Sequence, residues 1–228
     1  EMQKWTTDKN YHVRRLVSEG TRPLLPWSGR ITLNQAQTIP FLDILHADST
    51  RYVARSVANH MNDIAKIEPA LVVHTLTRWK EEEEQDPVEL DWMIRHSLRT
   101  LVKQGDNNAL QLLGYRTNPR ITVSTIAINQ SSLAVGETLE FSFEITAQRD
   151  ERLMIDYVID FVKANGSKKP KVFKIKKVSI RKGETILVTK KHRFLADATT
   201  FKHYSGEHSV TLQINGTQSN TSVFTLLT

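Results

Sequence analysis

Glu19 and Asp63 are the residues best suited to chemistry, because each stands among cations and amides at helical spacing. Arg15 and Glu19, then Arg55, Asn59 and Asp63, then Arg95, Arg99 and Lys103, follow one another at four-residue steps. Residues at i, i+4 and i+8 share one helix face. Three such faces lining a concave surface would form a mostly basic groove that holds two carboxylates. The cations could neutralise phosphates, giving binding that weakens steeply with salt. The carboxylates could stabilise a cationic transition state, as glycosidase carboxylates do for an oxocarbenium ion, or orient a water. The plainer alternatives are that Arg15, Arg55 and Arg95 pair between neighbouring helices, and that both acids are capping or ion-paired groups. Spacing alone leaves these open.

The elements that must position these groups are legible from periodicity. From Asp8 to about Tyr115 the apolar spacing is helical, as in Val53, Val57, Met61 and Ile64. Asp48-Ser49 and Asp86-Pro87 signal helix starts, and Gly20 and Gly105 signal stops. The arginines at 15, 55 and 95 recur every forty residues, each with an aromatic or His three positions earlier and Val or Met two earlier. A period near forty built from helix pairs is the mark of HEAT or armadillo repeats. The acidic run Glu81–Glu84 reads as a solvated edge between helices.

From Ile121 the pattern becomes alternation, with Leu139, Phe141, Phe143 and Ile145 facing one way. Further strand-like runs cover 172–180, 185–189 and 210–214, punctuated at Gly136-Glu137, Gly183-Glu184 and Asn215-Gly216. About seven short strands predict a β-sandwich. The expected organisation is therefore multidomain, α then β: a HEAT-like α-solenoid over residues 1–117 and an immunoglobulin-like β-sandwich over 120–228. Tyr204, ahead of Gly206 and His208, reads as a structural corner tyrosine.

Charge follows the same division. Net charge is +6. Residues 1–120 contribute +1 and residues 121–228 contribute +5. Between Lys163 and Arg193 twelve basic residues face one acid, Glu184. Lys169, Lys171 and Lys174 are candidate phosphate contacts, with Lys174 and Lys176 expected on one strand face. The alternative is lysines that protect an edge strand from aggregation. All 228 residues lack Cys, which excludes disulfides, a thiol nucleophile and a thiolate zinc site. The eight His show no paired metal spacing. No apolar run reaches the roughly 20 residues of a membrane helix. Glu1-Met2-Gln3-Lys4-Trp5 lacks a signal-peptide pattern, so a reducing cytoplasm is the expected location.

The run Asn10–Pro23, ending Ser18-Glu19-Gly20-Thr21-Arg22-Pro23 and followed by Leu25-Pro26-Trp27, resembles the hallmark segment of the AlkC-type DNA alkylation-repair glycosylases. Asn59-His60-x-Asn62-Asp63 and Arg95-His96-Ser97-Leu98-Arg99 extend the resemblance over most of residues 5–115. One branch of that family carries a C-terminal immunoglobulin-like domain, which fits residues 120–228.

The resemblance implies a monofunctional glycosylase acting on duplex DNA. It would excise cationic N3-alkylated bases such as 3-methyladenine and 3-methylcytosine, with no cofactor and no metal, as a monomer. It implies that Glu19 and Asp63 contact the sugar cation and a water, and that Trp27 forms an aromatic wall. With the basic stripe, it makes Arg15, Arg22, Arg55, Asn59, Arg95, Arg99 and Lys103 DNA contacts. Proteins of the family generally have more helices before this segment than the seven residues preceding Asp8, so upstream repeats are expected to be missing. A catalytically incomplete DNA-binding fragment and a HEAT-type scaffold for an acidic peptide are the alternatives.

Overall fold

The computed structural model describes residues 1–197 and 201–228, which form two compact units, Glu1–Leu113 and Gly114–Thr228. The division falls just ahead of the boundary expected near Arg116–Arg120.

The first unit is helical: α1 (Met2–Trp5), α2 (Tyr11–Gly20), α3 (Ile39–Leu45), α4 (Arg51–Ile64), α5 (Pro69–Glu82), α6 (Pro87–Ser97), α7 (Arg99–Gln104) and α8 (Asn107–Leu112). Helix α2 packs on α4, and α4 on α6. Hydrogen bonds join Arg15 to Tyr52, Ser18 to Ser56, Asn59 to His96 and Asn62 to Thr100. Partner numbers rise together, so these helices run in the same direction. The offset near forty is the repeat period made physical.

Apolar burial holds the stack together. Val53, Val57, Met61 and Ile64 of α4 are all fully buried, as the 3.6-residue period requires. Alongside them, Trp79 of α5 is fully buried, donates to Asp43 Oδ1 at 2.8 Å and stacks on His46 at 4.4 Å.

Local signals set the helix ends. Asp86 caps α6 by accepting from the amides of Val88 and Glu89. Gly105 ends α7 with φ 77°, a left-handed turn that favours glycine. Two expected signals act differently. Thr50 is the N-cap of α4, with Asp48 accepting from its amide, and Gly20 is the last helical residue of α2 with Thr21 as cap.

The second unit is an immunoglobulin-like sandwich, with nine strands among the described residues. In one sheet β4 (Thr138–Ala147) pairs with β7 (Thr185–Arg193) and also with β1 (Ile121–Val123) and β2 (Ala127–Ile128). The other sheet has the order β3 (Ser132–Ala134), β9 (Thr217–Leu227), β8 (Gly206–Ile214), β5 (Glu151–Val162), β6 (Lys168–Ile180). All pairings are antiparallel except β3 with β9. Leu139, Phe141, Phe143 and Ile145 of β4 enter one core with Leu153, Ile155, Tyr157 and Ile159 of β5. Phe141 meets Tyr157 edge-on at 5.2 Å.

Strand β6 is a sheet edge, and a bulge breaks its alternation. Lys176 lies opposite Ile155 but Lys174 lies opposite Asp156, which leaves Ile175 as the extra residue. Lys174 and Lys176 therefore stand on opposite faces, contrary to the expectation from simple alternation.

Candidate active site

Glu19, near the end of α2, and Asp63, near the end of α4, belong to one polar network. Parallel stacking brings the last turns of successive helices side by side, and the chain leaving α2 carries Arg22 between them. Arg22 donates Nη1 to Glu19 Oε2 at 2.9 Å. Its Nε and Nη2 both reach Asp63 Oδ2, at 2.9 and 2.7 Å. Glu19 Oε1 also accepts from Arg15 Nη2 at 2.8 Å and from Ser56 Oγ at 3.0 Å. Asp63 Oδ1 accepts from Lys66 Nζ at 3.0 Å.

Burial separates the two acids. The Glu19 side chain keeps 15% of its surface exposed, while that of Asp63 keeps 4%. A carboxylate has about four acceptor sites, so each acid has three filled. Glu19 is the more accessible of the two. Burial works against the Arg22 charge, but hydrogen bonds to Asp63 and Glu19 outweigh it and raise the guanidinium pKa. Behind them His60 is fully buried, and burial, then the Arg22 charge, push it down to about 4. It is neutral at pH 7.

A second cluster lies one repeat further on. The Asn59 carboxamide oxygen accepts from Arg99 Nη2 at 3.1 Å and meets His96 Nε2 at 2.9 Å. His96 stacks on Trp92 at 4.9 Å, and Arg51 covers the other ring at 4.7 Å from its centroid. Burial, then Arg99 and Arg55, push His96 down to about 4, so Nε2 carries the proton that Asn59 accepts.

The family described as "Uncharacterised protein YhaZ, C-terminal Ig-like domain" matches residues 122–228. Uncharacterized protein YhaZ of Bacillus subtilis (strain 168) is 42% identical over 219 residues, covering 95% of this chain and 60% of YhaZ. The solved structure of Pseudomonas fluorescens alkylpurine DNA glycosylase AlkC, bound to DNA containing an abasic site analog, has TM-score 0.91 and 39% identity. That match covers 100% of this chain and 63% of AlkC. Over its whole length the chain is similar in fold and sequence to AlkC. It spans about three fifths of the length of both relatives.

The remaining candidates divide into internal and exposed groups. Arg22 is buried and bonded to Glu19 and Asp63, and half-buried Arg99 is bonded to Asn59 and the His96 carbonyl, so both cations are engaged within the helical unit. Arg15 is half-way: it holds Glu19, donates to the Tyr52 carbonyl at 2.6 Å and lies 4.0 Å from the Tyr52 ring centroid. Arg55 and Lys103 are exposed, and exposed Arg95 pairs with Asp91. The helix is interrupted at Leu98, so Arg95, Arg99 and Lys103 do not form the continuous face that their spacing predicts. Trp27 is 79% exposed on the loop after α2, and among the described residues no hydrogen bond or ring contact holds it. Lys169, Lys171 and Lys174 are exposed on β6.

Sequence reasoning missed Ser56, Lys66 and the buried Ser18–Ser56 bond at 2.9 Å. Ser56 lies 38 residues beyond Ser18, short of the forty-residue arginine column, so the column alone did not point to it. Lys66, three residues after Asp63, fits an i, i+3 pair.

Proposed function

We propose that this chain is the lesion-contacting part of a DNA glycosylase that hydrolyses the N-glycosidic bond of cationic N3-alkylated bases in duplex DNA. The observation that carries the reading is the Arg22 bridge, which joins two carboxylates from successive repeats and leaves one partly open. An N3-alkylated base already carries positive charge and departs as a neutral molecule, so no strong acid is needed at the base. What the protein supplies is charge opposite the sugar cation and a positioned water.

Glu19 is the catalytic residue in this scheme, using its remaining acceptor site for the sugar cation or the water. Asp63 is a positioning residue: it fixes Arg22, which fixes Glu19. Trp27 supplies the exposed aromatic face on the neighbouring loop. The network Glu19, Asp63, Arg15, Arg22 and Lys66 carries three cations against two anions, an excess that opposes a sugar cation. Arg15 relieves this by passing to a phosphate when DNA docks, which leaves the network neutral. Arg55, Arg95, Lys103 and the β6 lysines Lys169, Lys171 and Lys174 supply further phosphate contacts. The chain acts as a monomer in the cytoplasm.

The test is release of free base from duplex DNA carrying 3-methylcytosine. Glu19→Gln is expected to slow release about 100-fold or more, the scale of losing one electrostatic contact in a transition state, with duplex binding kept. Release unaffected by Glu19→Gln would refute the assignment. Salt-sensitive binding without release would instead support a DNA-binding piece of a longer enzyme.

A further inference from the structure

The sandwich contains a concavity that the excision chemistry does not use. It has a volume of about 870 Å³ and lies where the β5–β6 hairpin meets the segment before β8. Phe161, Phe201 and Tyr204 contribute aromatic wall, and Lys169, Lys171 and Lys202 contribute charge. Among the described residues no acidic side chain lines it, and none of these three lysines makes an ion pair. Lys171 Nζ lies 5.0 Å from the Phe201 ring centroid and 5.4 Å from that of Phe173, so it is already held at an aromatic surface. Phe201 itself is 43% exposed.

Two features narrow the ligand. The charge calls for an anion, and lysine, a point charge with three rotatable donors, suits phosphate without demanding one orientation. An exposed phenyl ring in a concave wall suits a flat π-face, which a paired base inside a duplex does not offer. A nucleotide of an unpaired strand offers both at once, and such sites combine a basic groove with aromatic platforms. The volume is within the range of ligand pockets and accommodates one nucleotide with a flanking phosphate. Tyr204, expected to be a structural corner, instead lines this space with Lys202 Nζ 5.9 Å from its ring.

We infer that this pocket binds an unpaired nucleotide of single-stranded DNA, with Phe201 as the stacking platform and Lys171 and Lys202 on the phosphates. The pocket lies in the sandwich and Glu19 in the helical unit; Phe201 and Lys202 take no part in the proposed duplex contacts, so the inference does not rest on base excision.

The test is fluorescence anisotropy of the full chain with a fluorescein-labelled oligothymidylate at low salt, with inorganic polyphosphate as competitor. Phe201→Leu keeps apolar bulk but removes the ring, and is expected to weaken oligothymidylate binding roughly tenfold or more, the scale of one lost base stack. Polyphosphate binding should not change. Phe201→Trp should retain or tighten oligothymidylate binding. Lys171→Gln with Lys202→Gln should weaken both ligands. The Glu19→Gln chain should bind oligothymidylate normally even where base release is lost. Unchanged oligothymidylate binding by Phe201→Leu would overturn the inference. So would equal affinity of the unmodified chain for polyphosphate and oligothymidylate, which would reduce the pocket to a cationic surface.

Discussion

The helical unit and the sandwich both carry many cations, and they handle them in opposite ways. In the helical unit Arg22 is 7% exposed and every nitrogen of its fork meets Glu19 or Asp63. In the sandwich, of the twelve cations between Lys163 and Arg193, only Lys168 and Lys191 make ion pairs among the described residues. Paired, buried charge fixes geometry at a cost in desolvation, whereas exposed charge costs little and attracts a polyanion. The proposed chemistry rests on the first arrangement and the proposed docking on the second.

The strongest way to break this contrast is to remove a buried partner. Asp63→Ala leaves Arg22 Nε and Nη2 unpaired in a low-dielectric site, with only Nη1 still held by Glu19, and should destabilise the helical unit by about 3–5 kcal/mol. The buried Trp79 makes tryptophan fluorescence during urea unfolding a direct readout, since all four Trp lie in that unit. A loss below about 1 kcal/mol would mean the bridge is dispensable.

A second test uses acid. His60 has a folded pKa of about 4, below the ordinary value of 6.5. The unfolded chain therefore binds its proton first, and stability falls as pH drops from about 6.5 toward 4. The linked loss is about 3 kcal/mol at full titration. His60→Gln should make the tryptophan-detected pH dependence shallower over that window and leave a remainder from His96, which is also pushed down to about 4. His192 in the sandwich, also pushed to about 4 by burial first and then by His203 and nearby lysines, should remain as a separate acid transition. A pH profile unchanged by His60→Gln would remove His60 as its source.

The mildest test concerns exposed charge. Lys174→Gln should weaken duplex binding a few-fold and lower the slope of log affinity against log salt by about 1. Arg99→Gln, at a half-buried position bonded to Asn59, should leave that slope unchanged. Equal slope changes in both variants would erase the division between positioned and docking cations.

The sequence makes period visible more readily than partnership. Alternation from Leu139 to Ile145 predicts the buried face of β4 correctly, and the arginine column at 15, 55 and 95 predicts the helical repeat. Yet those three arginines have three fates: Arg15 holds Glu19 and the Tyr52 carbonyl, Arg55 is exposed, and Arg95 pairs with Asp91. Their partners come from a neighbouring repeat or from an adjacent helical turn, and a column of arginines does not encode them. The break at Leu98 and the bulge at Ile175 are likewise small backbone adjustments that strict periodicity cannot register. Glu19 and Asp63 were legible as a pair, while the difference in their exposure depends on packing around Arg22 and had no sequence signal.

The parallel pairing of β3 with β9 has a consequence for synthesis. Ser132 meets Thr225 across that ladder, so β3 must wait some ninety residues for its neighbour to leave the ribosome. Closing so long a loop is slow compared with forming the β5–β6 hairpin. The earlier strands therefore spend that interval with an open seam, and insertion of β9 between β3 and β8 is the event that seals the sheet.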